Sequence, residues 1–199
     1  ELAIQAMSGL MDTTGFPDGP PVPLGVPVVE LSTALYAAAA VTIAWRVLRR
    51  DGIGQRIELA LFDTAINALT TFLPAHFAGR ESRRLGNGHS MGVPWNAYRA
   101  ADGWVLICSA NDAQWRKLAA LIDPALPDHP RFATLAGRLE ARAEVDALVA
   151  GWVARRTLEP LVEMLAGAGI ACGPIVPVDR LPAEPNLSLR GLVAVTSDP

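Results

Sequence analysis

The sequence predicts an α/β protein, because helical and strand patterns alternate along its 199 residues. Over residues 31–79, an alanine-rich run typical of a helix leads into a short alternating run typical of a strand, and then into a second helical run. Further along, two β-prone runs flank an Asp-Gly turn, which is the pattern of a short antiparallel hairpin. With 51% hydrophobic residues, the chain can form a substantial core.

The first long helix is expected over Leu31–Arg50. Alanine, leucine and arginine favour helix, and Ser32 or Thr33 can cap its start. Gly52 is a stop signal at its end. The preceding Val26–Val29 is apolar and β-branched, so it fits either a short buried strand or the edge of a loop.

The next segment, "GQRIELALFD", alternates and therefore predicts a strand. Ile57, Leu59 and Leu61 share one face of it. Asp63 is then expected to cap a helix over residues 64–79, although a plain cap has no chemistry of its own.

The second half of the chain predicts a compact α/β arrangement around the hairpin. Asn111 or Asp112 is a candidate cap for the first helix there, and Gly169 ends the last long one. The expected elements are strands Asn96–Ala100 and Trp104–Ser109, helices 111–122, 138–156 and 158–168, a strand within 170–178, and a final strand near Leu192–Thr196.

Composition excludes several classes of function. A net charge of −3 gives no sign of a nucleic-acid binder or a membrane-surface protein. The longest uncharged stretch, Leu31–Trp45, is too short and too rich in alanine to span a bilayer comfortably. Cys108 and Cys172 match no redox spacing and indicate a reducing, cytoplasmic environment. No metal is expected, since His76, His89 and His129 are not spaced as ligands.

Glu30 is the strongest candidate for chemistry, because it lies where the apolar run meets the alanine-rich helix. Free amides and the positive dipole end of that helix would stabilise its ionised form. An ionised carboxylate in this setting is a potential nucleophile. The same pattern also fits an acid that only stabilises a helix N-terminus.

A second candidate is the polar loop "RLGNGHSMGVP", Arg84–Pro94, which contains three glycines. Backbone amides of such a loop can hold an oxyanion. A flexible connection between domains gives the same pattern.

Six stretches together resemble the class III CoA-transferase family, which includes formyl-CoA and carnitine CoA-transferases and α-methylacyl-CoA racemases. The resemblance runs from Gln5 to about Gly191. Its stretches are, in order, "QAMSGLMDTTGFPDGPP", "LGVPVVELSTALYAAAAVTIAWRVLRRDGIGQRIELALFD", "RLGNGHSMGVPWNAYRAADGWVLI", "NDAQWRKLAALI", "DHPRFATLAGRLEAR" and "LAGAGIACGPI".

The resemblance implies a fold with two domains and an interlocked homodimer. Residues 1–79 would belong to a large Rossmann-like domain and residues 80–92 to a linker with the glycine-containing loop. Residues 93–178 would form a smaller α/β domain, and residues 179–199 would return toward the large domain. Members of the family are about twice as long, so we expect this chain to be a fragment that is inactive alone.

The resemblance also implies a reaction. In the transferases, an Asp at the position of Glu30 attacks an acyl-CoA thioester, and an enzyme-bound anhydride and CoA thioester follow. The substrates would be an acyl-CoA and a carboxylic acid acceptor, with coenzyme A bound only as a thioester substrate. The loop residues Gly86, Asn87, Gly88 and His89 would lie near the acyl group.

Glu in place of Asp leaves three alternatives open. Glu30 can be the nucleophile of a site adjusted to its length. It can be an acid/base group, as in the racemases and epimerases. The chain can also be the non-catalytic half of a fused or dimeric member.

Overall fold

A computed structural model describes residues 1–80 and 83–194 of the chain. The chain divides into two compact units, Glu1–Gly86 and Asn87–Pro199, with separate apolar cores. The structure is α/β, with helices in both units and one three-stranded antiparallel sheet among the described residues.

The described part of the first unit is built from helices around a small core. Leu10, Val29, Ala65 and Leu69 are its buried apolar residues. The helices are α1 (Leu2–Met7), α2 (Leu10–Thr13), α3 (Val28–Asp51), α4 (Leu61–Ala68) and α5 (Phe72–Phe77).

Helix α3 begins three residues earlier than the sequence predicts. Val28 and Val29 are helical rather than a strand or loop edge, and Pro27 occupies the N-cap position without a side-chain hydrogen bond. The predicted cap from Thr33 is wrong, because its hydroxyl lies inside the helix and donates to the Val29 carbonyl oxygen at 2.8 Å. The predicted stop is confirmed, since the helix ends at Gly52 with a φ of +72°.

Most of α3 is exposed although it is apolar around its circumference. It is long and apolar enough to cross a bilayer by length and composition alone, a test that the core helix of a larger protein also passes. A helix that is apolar on all sides is normally covered. The exposed large apolar side chains on α3 are Val28, Leu31, Leu35, Tyr36, Val41, Ile43, Trp45 and Leu48.

The predicted strand before Asp63 is not formed. Residues 53–60 have no regular structure and are exposed, because no other described segment pairs with their backbone. An alternating run makes a strand only when a neighbour accepts and donates its hydrogen bonds. Asp63 is likewise not the cap of the next helix: α4 starts at Leu61, which places Asp63 in its first turn.

The second unit contains the predicted hairpin and a third strand. Strands β1 (Trp95–Arg99), β2 (Trp104–Cys108) and β3 (Ala171–Pro174) form a sheet in that order, and both pairs are antiparallel. The helices are α6 (Asp112–Ile122), α7 (Leu135–Glu140), α8 (Arg142–Val153), α9 (Leu158–Gly167) and α10 (Pro185–Leu189), with 3₁₀ turns at Leu126–Asp128 and Val178–Ala183.

Helices cover one face of the sheet. Helix α8 packs on β1, and α9 packs on β2 and β3. Along β2, Val105 and Ile107 are buried while Trp104 and Leu106 are exposed, so the core lies on the helical side. The core side chains from the helices are Trp115, Leu118, Val145, Val149, Val153, Leu161 and Leu165.

Most predicted elements of this unit are confirmed. Asn111 caps α6 by accepting the Gln114 amide at 2.9 Å. The single helix expected over 138–156 is instead two, α7 and α8, separated at Ala141. Near the expected last strand, residues 192–194 are irregular. The rest of that strand, from Val195, lies outside the described residues.

A partly buried group of three polar residues connects the sheet to α8. The Tyr98 hydroxyl donates to Asp146 Oδ1 at 2.5 Å, and Asn96 Nδ2 donates to Oδ2 of the same carboxylate at 3.3 Å. Burial and the nearby Asp146 charge raise the pKa of the Tyr98 phenol above its ordinary value.

Replacing Tyr98 with Phe is expected to lower the free energy of unfolding by about 1–3 kcal/mol, because Asp146 loses its strongest donor. Since the folded pKa is raised, the stabilisation is complete below the unfolded pKa of about 10 and is lost as pH rises above it. The stability difference between wild type and Tyr98→Phe should therefore shrink above about pH 10 in urea denaturation series. A difference that stays constant with pH would contradict this, and Tyr36→Phe is the control.

Candidate functional site

Glu30 lies in the first turn of α3, and its side chain is 56% exposed. Its backbone amide donates to Glu1 Oε2 at 2.7 Å, and the Val29 amide lies 3.3 Å from Glu1 Oε1. The carboxylate that binds the free amides of this helix is therefore that of Glu1. The expectation that these amides hold Glu30 is wrong, because Glu30 is inside the helix rather than in front of it.

Glu1 is the better stabilised anion at this corner. Burial opposes its ionisation, but hydrogen bonds from Gln5, Glu30 and Val29 outweigh that effect and lower the pKa of its carboxyl. The Gln5 Nε2 contact is 2.6 Å. Glu30 keeps a solvent-accessible carboxylate near the positive end of the α3 dipole.

A small cavity lies beside the start of α3, between this helix and α4. Its volume of about 110 Å³ is well below that of a typical ligand pocket. Glu30 is not on its wall, because it is turned roughly 100–160° around the helix from the α3 residues that are. The cavity is lined by Val28, Val29, Ser32, Tyr36, Thr64, Asn67 and Ala68.

Gly86, the first glycine of the polar loop, has a structural reason to be glycine. Its φ is +59°, and a Cβ there would lie 2.6 Å from the Phe16 ring. Its amide donates to the Gly15 carbonyl oxygen at 2.9 Å. Gly86 is thus anchored to residues 14–27, the Gly/Pro loop between α2 and α3 of the first unit.

The remaining loop residues, Asn87, Gly88 and His89, belong to the second unit. The His89 ring stacks on Trp95 with centroids 4.2 Å apart, and its Nδ1 accepts the Met91 amide at 3.2 Å. Its carbonyl oxygen accepts from Arg142 Nη2 at 2.9 Å. The predicted loop motif therefore spans the boundary between the two units.

Arg84 is a residue at this loop whose role the sequence reasoning missed. Its Nη1 donates to the carbonyl and carboxylate oxygens of Asp12, at 3.2 and 3.1 Å, and its Nη2 donates to the Gly19 carbonyl oxygen at 3.2 Å. Arg84 thereby fastens the start of the glycine-containing loop to α2 and the Gly/Pro loop. A basic residue two positions before the first glycine was the available signal.

Cysteine and metal chemistry have no support in the described part of the chain. Burial raises the pKa of both the Cys108 and the Cys172 thiols, which makes them poor nucleophiles. Across residues 1–80 and 83–194, no three His, Cys, Asp or Glu side chains are grouped as metal ligands.

Comparison with known proteins shows which proteins the chain resembles. The chain is 31% identical over 191 residues to a succinate–glutarate CoA-transferase of Agrobacterium fabrum, covering 95% of this chain and 48% of that protein. It is 31% identical over 198 residues to a succinyl-CoA–D-citramalate CoA-transferase of Chloroflexus aurantiacus, covering 98% of this chain and 49% of that protein. The chain thus spans about half the length of the curated relatives it matches.

The fold has solved counterparts too. A CAIB/BAIF family protein from Brucella suis is 34% identical, with a TM-score of 0.79 over 96% of this chain and 51% of that structure. The family model described as CoA-transferase family III matches residues 1–199. The chain therefore belongs to CoA-transferase family III.

Proposed function

We propose that the whole protein transfers coenzyme A between an acyl-CoA and a carboxylic acid, with Glu30 as the nucleophile. The observation that carries this proposal is the family match over residues 1–199. Relatives named as CoA-transferases support the same reaction class. Coenzyme A then enters as a thioester substrate and not as a resident cofactor.

The proposed reaction uses one carboxylate for two successive exchanges. Glu30 attacks the thioester carbonyl carbon, the CoA thiolate leaves, and a mixed anhydride forms. The thiolate then attacks the Glu30 acyl carbon, which releases the donor acid and leaves a CoA thioester on Glu30. The acceptor carboxylate then attacks the CoA thioester on Glu30, which releases the thiolate and forms a second anhydride. The thiolate attacks the acceptor's acyl carbon in that anhydride, which gives the new acyl-CoA and regenerates free Glu30.

Two features of Glu30 support this role. Its carboxylate is accessible, as a nucleophile must be, and it lies in the first helical turn, where the dipole favours negative charge. We further propose that Gly86, Asn87, Gly88 and His89 cover the acyl group and exclude water during the exchanges. The packing of Gly86 on Phe16 and of His89 on Trp95 would give that loop a defined shape.

For the whole protein we propose a Rossmann-like large domain containing residues 1–79 and a smaller α/β domain at residues 93–178. Residues 80–92 would link them, and residues 179–199 would return to the large domain. A homodimer is also proposed. The exposed apolar surface of α3 supports both ideas, since such a helix needs protein to cover it.

Chemical trapping tests the proposed intermediate. The full-length protein is incubated with an acyl-CoA such as succinyl-CoA, treated with hydroxylamine, and digested for mass spectrometry. A hydroxamate at Glu30 is the expected result, because hydroxylamine attacks both an anhydride and a thioester. Exchange of the substrate α-proton in deuterated water without a label at Glu30 would instead indicate a racemase. Neither label nor exchange would indicate the non-catalytic half of a fused or dimeric protein.

A further inference from the structure

A second cavity lies wholly within the second unit, at the turn of the β1–β2 hairpin. Its volume is about 270 Å³, just below the usual range for small-molecule sites. One side is the hairpin and the start of α9, and the other is the chain after β3. The lining residues are Arg99, Asp102, Gly103, Trp104, Leu158, Pro174, Ile175, Val176, Pro177 and Arg180.

Hydrogen bonds and close packing hold the walls of this cavity. The Ile175 amide donates to the Trp104 carbonyl oxygen at 2.8 Å, which keeps the chain after β3 against the hairpin. Leu158 packs so closely on Gly103 that any side chain at position 103 would collide with it. The cavity is therefore part of the folded unit and not a gap between loose ends.

The walls of this cavity carry two arginines and one acid. Within the described residues, neither Arg99 nor Arg180 has a carboxylate partner. The one acid on the wall, Asp102, is partly engaged: its Oδ1 accepts the amide of Leu158, another lining residue, at 2.9 Å at the start of α9. Thr157, the residue before α9, makes no capping hydrogen bond with its own side chain. Two guanidinium groups and one carboxylate therefore face this cavity, so its wall favours an anion by one net positive charge.

The apolar part of the cavity offers a flat surface. Trp104 is 43% exposed, so part of its indole ring is accessible to a ligand. The Arg99 guanidinium carbon lies 5.8 Å from the centre of this ring, within the range of a cation–π contact. A ligand ring stacked on the indole would thus have a cation beside it.

We propose that this cavity binds a small organic anion, a carboxylate or a phosphate monoester on a flat apolar ring. The ring packs between Trp104 and Leu158, and Arg99 and Arg180 contact the anionic end. Guanidinium groups suit both anions, because their planar donors match carboxylate and phosphate oxygens. The volume fits one ring with one charged group. This proposal does not depend on CoA transfer.

A site-resolved titration tests the proposal with the full-length protein labelled with 5-fluorotryptophan. The ¹⁹F resonance of Trp104 is identified from its loss in Trp104→Phe, and it is followed during addition of benzoate, phenyl phosphate or benzyl alcohol. A saturable shift is expected with at least one of the two anions, and their relative affinities identify the preferred group. Benzyl alcohol should bind at least about tenfold more weakly, since it lacks the charge.

Arginine variants distinguish binding in this cavity from nonspecific attraction of the anion to a positively charged surface. Arg180→Gln and Arg99→Gln should each weaken binding of the preferred anion by about tenfold, the loss of one charge-assisted hydrogen bond. Arg155→Gln removes an exposed arginine of the same unit outside the cavity, and it should leave the affinity unchanged. The proposal is wrong if neither anion shifts the Trp104 resonance, if benzyl alcohol binds equally well, or if Arg155→Gln has the same effect as Arg180→Gln.

Discussion

Replacing Glu30 with glutamine in the full-length protein is expected to lower kcat for CoA transfer on the order of 10³-fold or more. The amide has the same shape and can form neither the anhydride nor the enzyme thioester. Stopped assays with acyl-CoA and acceptor acid, followed by chromatography of the product acyl-CoA, measure the change. Since Glu30 is exposed, the variant should unfold at the wild-type denaturant concentration.

Two further variants make this result specific. Glu30→Asp keeps the charge but withdraws the carboxylate by about 1 Å, and a displacement of that size can cost about 100-fold in rate. Glu159→Gln is the matched control, because Glu159 is also an exposed acid in a first helical turn, that of α9. The nucleophile assignment is contradicted if Glu30→Gln retains activity within a few-fold of Glu159→Gln.

Replacing Arg138 with methionine is expected to lower the free energy of unfolding of the second unit by about 2–6 kcal/mol, from two buried carbonyl oxygens that each lose a donor. Arg138 is 0% exposed, and its guanidinium donates to three oxygens. These are the Val93 carbonyl at 2.8 Å, the Phe132 carbonyl at 2.9 Å and Asp112 Oδ1 at 3.0 Å. Methionine fills the volume but leaves two buried carbonyls without donors.

Guanidinium chloride denaturation, monitored by tryptophan fluorescence, measures this loss. Trp115 is a local reporter, because the Arg138 guanidinium lies 5.3 Å from its ring centre. Arg138→Lys should be intermediate, since one ammonium cannot reach all three oxygens. Arg155→Met, at an exposed arginine of the same unit, should change stability by no more than about 0.5 kcal/mol. Equal losses for the two methionine variants would show that burial of Arg138 contributes nothing.

Local signals predicted the second unit well. The hairpin at Asp102–Gly103 and the Asn111 cap depend on residues close in sequence, so their patterns were sufficient. The buried Arg138 was not predictable in the same way. Its partners Val93 and Asp112 are 45 and 26 residues away along the chain, and a charged residue on a helix is normally expected at the surface.

In the first unit, too, local patterns were sufficient for some features, while others depend on residues distant in sequence. Alternation could identify residues 53–60 as strand-like, but pairing depends on a neighbour that no local pattern supplies. The position of Glu30 near a helix start was predictable, whereas the Glu1 carboxylate at the helix amides joins residues 29 positions apart. Its position made Glu30 a candidate, and resemblance to a family gave it the role of nucleophile.

The unpaired run at residues 53–60 has a consequence for handling this polypeptide. Its amides and carbonyls have no strand partner among the described residues. The same run of another molecule can therefore pair with them, as in cross-β fibres. Arg56 and Glu58, joined at 2.8 Å, interrupt the aliphatic side chains with charge and so act as gatekeepers against aggregation. Neutralising that pair would remove the main chemical barrier to fibril growth from this run.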